Sequence, residues 1–439
     1  MVGGSQGAGG GVAVSVPRDP YRALRGRDFR LLLVGVFLGS FGQQMLSVAL
    51  GWELYERTGS ALALGGIGLA LILPVIFLSL PAGHVADRYS RKKVMLCGQI
   101  AVAVGALGLA ALSLTQGPLL PIYGCLIIIG SAQAFNNPAS SALVAQVIPP
   151  DAYESAITWR SSVGQISAVL GPAAGGFLIW LLGGATWVFV LHAVAALSFA
   201  LLLSLLRVRV QQTRAAGGRT WRSILEGVQF LWKSQVLLAA ITLDLFAVLL
   251  GGAVTLLPIF ARDILHVGPL GLGWLQGASS IGSVSMALFL AHRPAFTRAG
   301  RTLLLAVGAF GLVTIVFGLS RSFLLSFATL LCLGALDNIS VVIRSTLLLV
   351  RTPDELRGRV GAVNSLFIGT SNQLGGFESG LAAQFFGPVA AVVGGGIGTI
   401  LVVIMVARYW PEMRELRTLR EPEAEAVPEP ERAVVGVAG

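Results

Sequence analysis

Apolar residues in this chain come in long blocks separated by short polar loops. Residues 31–50, 61–80, 94–114 and 389–406 are four such blocks, each about the 20 residues a helix needs to cross a bilayer core. The full pattern predicts twelve membrane helices, at 29–55, 61–82, 94–115, 119–145, 158–181, 185–206, 236–261, 270–291, 302–320, 322–348, 360–384 and 388–408. A closed β-barrel, the other way to span a bilayer, alternates apolar and polar residues over segments of about ten. No such alternation is present, so the chain reads as an all-α membrane protein.

The longest internal polar stretch, 207–233, divides the helices six and six. Pro150-Asp151, Gly171 and Gly183 in the first part return as Pro353-Asp354, Gly375 and Gly387 in the second, offset by 203 or 204 residues. Three landmarks in order at nearly one offset predict two pseudo-symmetric six-helix bundles, a form known among secondary transporters. The expected organisation is a disordered cytoplasmic terminus at 1–28, bundles at 29–206 and 236–408, a cytoplasmic linker at 207–235 and a disordered tail at 409–439. Within the linker, Trp221, Ile224, Leu225 and Val228 share a face and predict a short interfacial helix.

Composition agrees. Of 439 residues 12% are charged, against about 25% in soluble domains. The net charge of +10 sits in short loops rather than on one solvated face, which argues against nucleic acid as a partner. Arg18, Arg22, Arg25, Arg27 and Arg30 precede the first helix, Arg88, Arg91, Lys92 and Lys93 follow the second, and the opposite loops hold only Arg57, Arg262 and Arg321. Cytoplasmic loops retain the excess of Lys and Arg, so both termini are expected in the cytoplasm of a multi-pass protein in a bacterial inner membrane. Cys97, Cys125 and Cys332 are isolated, with no disulfide or metal spacing.

The loop after the second helix runs Gly83-His84-Val85-Ala86-Asp87-Arg88-Tyr89-Ser90-Arg91-Lys92-Lys93. It resembles the signature of the major facilitator superfamily, with Ser90 where the family usually has glycine. A positive-inside loop explains the cations but not Asp87, four residues after Gly83. The resemblance implies the major facilitator fold and a gating role for Gly83, Asp87, Arg88, Arg91 and Lys92: the carboxylate would face the start of the eleventh helix, Arg357-Gly358-Arg359, and latch the halves on the cytoplasmic side. In the fifth helix Gly171-Pro172-Ala173-Ala174-Gly175-Gly176 resembles the core of an antiporter motif, with Ser167 where the fuller motif has glycine. Proline bends a helix and glycine lets a neighbour approach; packing alone is the other reading of Gly171, Pro172, Gly175 and Gly176.

Polar residues inside spans are costly and often functional. Gln43 and Gln44 lie in the first, Gln133, Asn136 and Asn137 in the fourth, Asp244 in the seventh, and Asp337 and Asn338 in the tenth, the four helices that line the cavity in the resembled fold. Interhelical hydrogen bonding is the alternative for each Gln or Asn. Asp244, then Glu378 and Asp337, are the candidates for proton coupling, since burial disfavours a charged carboxylate. A salt bridge is the alternative, and Arg344 lies seven residues from Asp337, about 10 Å along one helix, so it needs another partner.

Trp52-Glu53-Leu54-Tyr55 and Pro353-Asp354-Glu355-Leu356-Arg357-Gly358-Arg359-Val360 are similar to the branch of the superfamily that contains enterobactin and macrolide exporters. The resemblance implies proton-coupled efflux of a small amphiphile, drug or siderophore, across the lipid bilayer, with the proton gradient as energy source and no cofactor. An uncoupled facilitator or uptake carrier is the alternative. A membrane enzyme or sensor lacks support, since no HExxH, nucleophile elbow or phosphate loop occurs.

Overall fold

The computed structural model describes residues 19–207, 221–294 and 296–416, and these residues form helices and turns with no strand among them. The first half comprises α1 (Arg27–Thr58), α2 (Ala61–Arg88), α3 (Arg91–Leu114), α4 (Leu119–Val147), α5 (Tyr153–Leu182) and α6 (Thr186–Ser204). After the linker come α7 (Trp221–Lys233), α8 (Gln235–Leu250), α9 (Leu257–Ile259), α10 (Gly268–Ala291), α11 (Ala299–Leu319), α12 (Phe323–Arg351), α13 (Asp354–Phe386), α14 (Pro388–Tyr409) and α15 (Pro411–Glu415). Glycines at left-handed φ values of 58° and 70°, Gly59 and Gly183, end α1 and α5, a conformation that costs glycine least. Ser60 then caps α2, its hydroxyl accepting from the Ala63 N–H.

The packing repeats between the halves. In the first, α1 lies on α5 and α6, α2 on α4, and α3 on α4 and α6; in the second, α8 lies on α13 and α14, α10 on α12, and α11 on α12 and α14. The halves meet through α2 against α13 and α5 against α10.

Among the described residues eleven helical stretches, Gln235–Ile264 counted as one, are long and apolar enough to cross a membrane. The one expected span outside that set is the eleventh, α13, whose 33 residues include Asn364, Ser371, Asn372, Gln373, Glu378 and Gln384. Ser371 is buried and Asn364, Gln373 and Glu378 are partly buried where α2, α7, α8 and α14 pack on the helix, and such residues are tolerated in a membrane where neighbouring helices surround them; Asn372 and Gln384 are exposed. The seventh span, expected as one helix over 236–261, is broken. α8 stops at Leu250, and after Gly251 and Gly252 the chain continues as a 3-10 turn (Ala253–Leu256), α9 and a π-helical turn (Phe260–Ile264). Two glycines weaken the helix, and Pro258 in α9 has no N–H to give to it.

The chain ends are ordered further than expected. Residues 19–26 fold onto the start of α5: the Pro20 carbonyl accepts from Ser155 Oγ at 2.6 Å and Trp159 Nε1 at 3.0 Å, Arg22 pairs with Asp151, and Ala23 is buried. At the other end Met413 is buried against Gly300, whose N–H donates to Leu416 O at 3.2 Å. Residues 1–18, 208–220 and 417–439, with Arg214, Gly217 and Gly218, lie outside the described residues. Of the expected linker, 221–233 is helical; Gly227 sits against the Arg359 backbone, Leu231 is buried, and Glu226 pairs with Arg359. α7 is thus docked on α13.

Candidate functional site

The signature loop bridges two helix ends. α2 runs through Arg88, and α3 starts at Arg91. Gly83 is buried, Arg88 is exposed and Arg91 is partly buried, while the side chain of Asp87 lies outside the described residues. Lys92 Nζ donates to Ser204 O and Leu206 O, both at 2.8 Å, where a cation meets the negative end of the α6 dipole. Lys92→Met is expected to cost about 0.3–1 kcal/mol, read as a small drop in the melting temperature of the detergent-solubilised protein. On the facing helix Arg357 pairs with Asp354 and Arg359 with Glu226.

The glycines of the fifth span stand at a three-way junction. A Cβ at Gly171 would lie 2.5 Å from Gln44 Cβ, one at Gly175 would lie 3.1 Å from Met45 Cα, and one at Gly176 would lie 2.9 Å from Gly273 Cα in the other half. From the far side, a Cβ at Gly273 would lie 2.5 Å from the carbonyl of Pro172. α2 and α13 meet in the same way, with Gly68 against Gln373 O at 2.6 Å and Gly380 against Ala61 O at 2.7 Å. Seven residues return a helix to nearly the same face, yet Gly164 and Gly369, each seven before a packed glycine, have nothing within 4 Å. The contacts between the halves, α2 with α13 and α5 with α10, thus lie on the side away from the chain ends, the closed side. Ser60 Oγ bonded to Gln384 Oε1 at 3.1 Å, and Tyr55 bonded to Asp263, tie them on the closed side.

The polar span residues divide into groups. Gln133 Nε2 donates to Gln43 Oε1 at 3.2 Å, joining α4 to α1. Gln44 leans on α5, Asn137 is exposed, and Asn338 Oδ1 is buried without a partner. Asn136, expected at the cavity, is turned against Gly98 of α3 and is 9% exposed. The missing Cβ of Gly98 leaves the space it fills.

Two acids of the second half, Asp244 and Asp337, line one cavity. Asp244 of α8 forms an ion pair with Arg344 of α12, side chains 10% and 4% exposed. Asp337, two turns before Arg344, lines with Asp244, Ser340, Val248, Val307 and Phe310 a cavity with about 20 Å³ for the centre of a water molecule, room for one. The guanidinium thus pairs with Asp244, while Asp337 faces the same cavity with no ion pair of its own among the described residues. Glu378 stands apart on α13, accepting from Ser379 Oγ at 3.4 Å.

Spacing excluded Asp337 as a direct partner of Arg344 but did not find Asp244, since the pair joins two spans about 100 residues apart. A lone arginine in an apolar span was the signal. Nothing in the sequence marked the contact of Tyr55 with Asp263.

Over residues 32–377 the chain matches the family described as Major Facilitator Superfamily. It is 25% identical over 408 residues to the multidrug efflux pump Tap of Mycolicibacterium fortuitum, covering 89% of this chain and 98% of that one. It is 26% identical over 392 residues to the enterobactin exporter EntS of Shigella flexneri, covering 89% and 93%. Among solved structures it is similar to the nucleoside transporter NupG, with TM-score 0.70, 13% identity and coverage of 87% and 98%. A bacterial homolog of the human lysosomal transporter Spinster, in an inward-facing and occupied conformation, gives TM-score 0.69, 14% identity and coverage of 93% and 100%.

Proposed function

Because the chain belongs to the Major Facilitator Superfamily, and is thus a membrane transporter rather than an enzyme, we propose that it exports a small amphiphilic molecule, of drug or siderophore class, in exchange for protons. The observation that carries the coupling is the pairing of Asp244 with Arg344 beside Asp337. An ionised carboxylate in an apolar bundle is costly without a counter-charge. Arg344 neutralises Asp244, and Asp337 is the acid that binds and releases the transported proton. Each release leaves an uncompensated charge, which biases the second half toward the arrangement that hydrates it.

The export direction draws support from the efflux relatives, and the basic loops favour a cytoplasmic position for the open side and both chain ends. Cargo enters between the halves from that side. The glycine faces of α2 with α13 and α5 with α10 then slide as the closed side opens, and the signature loop, with Gly83, Asp87, Arg88 and Arg91, meets the start of α13. Gln43, Gln133, Asn137 and Asn338 would supply polar contacts to the cargo.

Inside-out membrane vesicles test this reading with a panel of dyes, antibiotics and siderophores. Gradient-driven uptake of a panel member is expected, and Asp337→Asn should lower it by about tenfold or more, the equivalent of 1.4 kcal/mol, while substrate exchange without a gradient survives. Uptake indifferent to a collapsed gradient would make the protein an uncoupled facilitator.

A further inference from the structure

The outer part of the seventh span departs from regular helix at successive points. Gly251 and Gly252 end α8, a 3-10 turn follows, and the π-helical turn Phe260–Ile264 carries Arg262 and Asp263. His266 then takes a positive φ of 53°, in a region few non-glycine residues occupy. A π-turn adds a residue to the helix and is found mostly at functional positions. Here both charged side chains meet the end of α1 in the other half. The Tyr55 hydroxyl donates to the Asp263 carboxylate. Arg262 Nη1 donates to the carbonyls of Tyr55 and Glu56 at 3.2 and 3.3 Å, and its guanidinium lies 5.7 Å from the Tyr55 ring centre.

The cluster holds one exchangeable carboxylate. Asp263 is 49% exposed, with Arg262 Nε 3.9 Å away, so water on that side reaches it. The neighbouring ionisable groups are few. His266 Nδ1 is bonded to the Arg262 carbonyl at 3.0 Å; Glu56 is exposed and meets Arg262 through its carbonyl. Glu53 and Arg57 pair with each other, and Arg57 also donates to the carbonyls of Leu112 and Ser113 at the end of α3. α9 and α10, which pack on the π-turn, contain no ionisable residue.

We propose that Tyr55, Arg262 and Asp263 are an outer latch that responds to protons: ionised Asp263 holds the segment 253–265 on α1, and its protonation releases that segment to swing about Gly251 and Gly252. One proton moves from the outer water to the carboxylate, so Tyr55 loses its charged acceptor and Arg262 its counter-charge. The proton returns to the same water when the latch re-forms. The site sets when the outer side opens and carries nothing across. It rests on the antiport reading, with the closed side facing outward.

Spin labels test it on the full chain in lipid nanodiscs, with the three native cysteines replaced by serine and new ones at Leu120 and Arg321, exposed positions on the closed side of each half. Double electron–electron resonance between about pH 8 and about pH 4, approaching the ordinary carboxylate range, is expected to show a longer distance growing in with acid. Asp263→Asn should show that longer distance at both ends of the range, and Asp263→Glu should restore the response. Tyr55→Phe should raise the longer population at the alkaline end. The proposal is overturned if Asp263→Asn keeps the parent's short distance at the alkaline end, or if it still responds to acid as the parent does. Asp337→Asn should leave this response intact while losing gradient-driven uptake, so latch and carrier fail separately.

Discussion

Arg344→Leu is expected to destabilise the protein by about 3–5 kcal/mol, the usual cost of breaking a buried ion pair from one side. The mutation leaves Asp244, with a side chain 10% exposed, among apolar neighbours with no cation. The effect would be read as loss of the monodisperse peak and a fall in melting temperature in detergent. Asp244→Asn combined with Arg344→Leu should recover most of that stability, because two uncharged side chains of similar size carry little desolvation cost. The double variant should not recover transport, since the cavity that Asp337 lines then has no ion pair at Asp244. A double variant that transported with normal dependence on the gradient would show the pair to be structural.

Gly273→Val is expected to abolish transport by a different route. Its first side-chain carbon would fall 2.5 Å from Pro172 O and 3.1 Å from Gly176 Cα, both backbone atoms of the opposite half. Overpacking of this kind costs about 1–3 kcal/mol, here falling on one conformation only, the one closed on the side away from the chain ends, which is the outer side under the export reading. The balance between conformations would shift by roughly 5- to 150-fold, visible as raised labelling of an outer cysteine by a membrane-impermeant reagent. Gly164→Val, at a position with nothing within 4 Å, should leave labelling unchanged.

Apolar length made the spans legible because a bilayer imposes it on each helix alone. The same pattern predicts a span at 360–384, within α13, although that helix is polar enough to fall outside the set of long apolar helices. Helix ends ran past expectation where amphipathic turns continue into water, as at α5, which begins at Tyr153 rather than 158. The break at Gly251 was printed in the sequence, yet both glycines passed as members of an apolar block. Site residues were legible by type and less so by direction. Asn136 and Asn137 are neighbours in sequence, yet one lies on α3 and the other is exposed. Contacts between distant spans, Asp244 with Arg344 and Tyr55 with Asp263, depend on how helices are arranged, and local patterns carry no information about that.

The broken seventh span sets the two halves apart. Its counterpart in the first half, α1, is a single helix of 32 residues. Two halves that share their packing order thus hold an unbroken helix at one position and an interrupted one at its counterpart. A protein assembled from two first halves would keep the smooth glycine faces and lose both the joint and the paired acids. Under the antiport reading, the difference between the halves rather than their symmetry would give the bundle its direction.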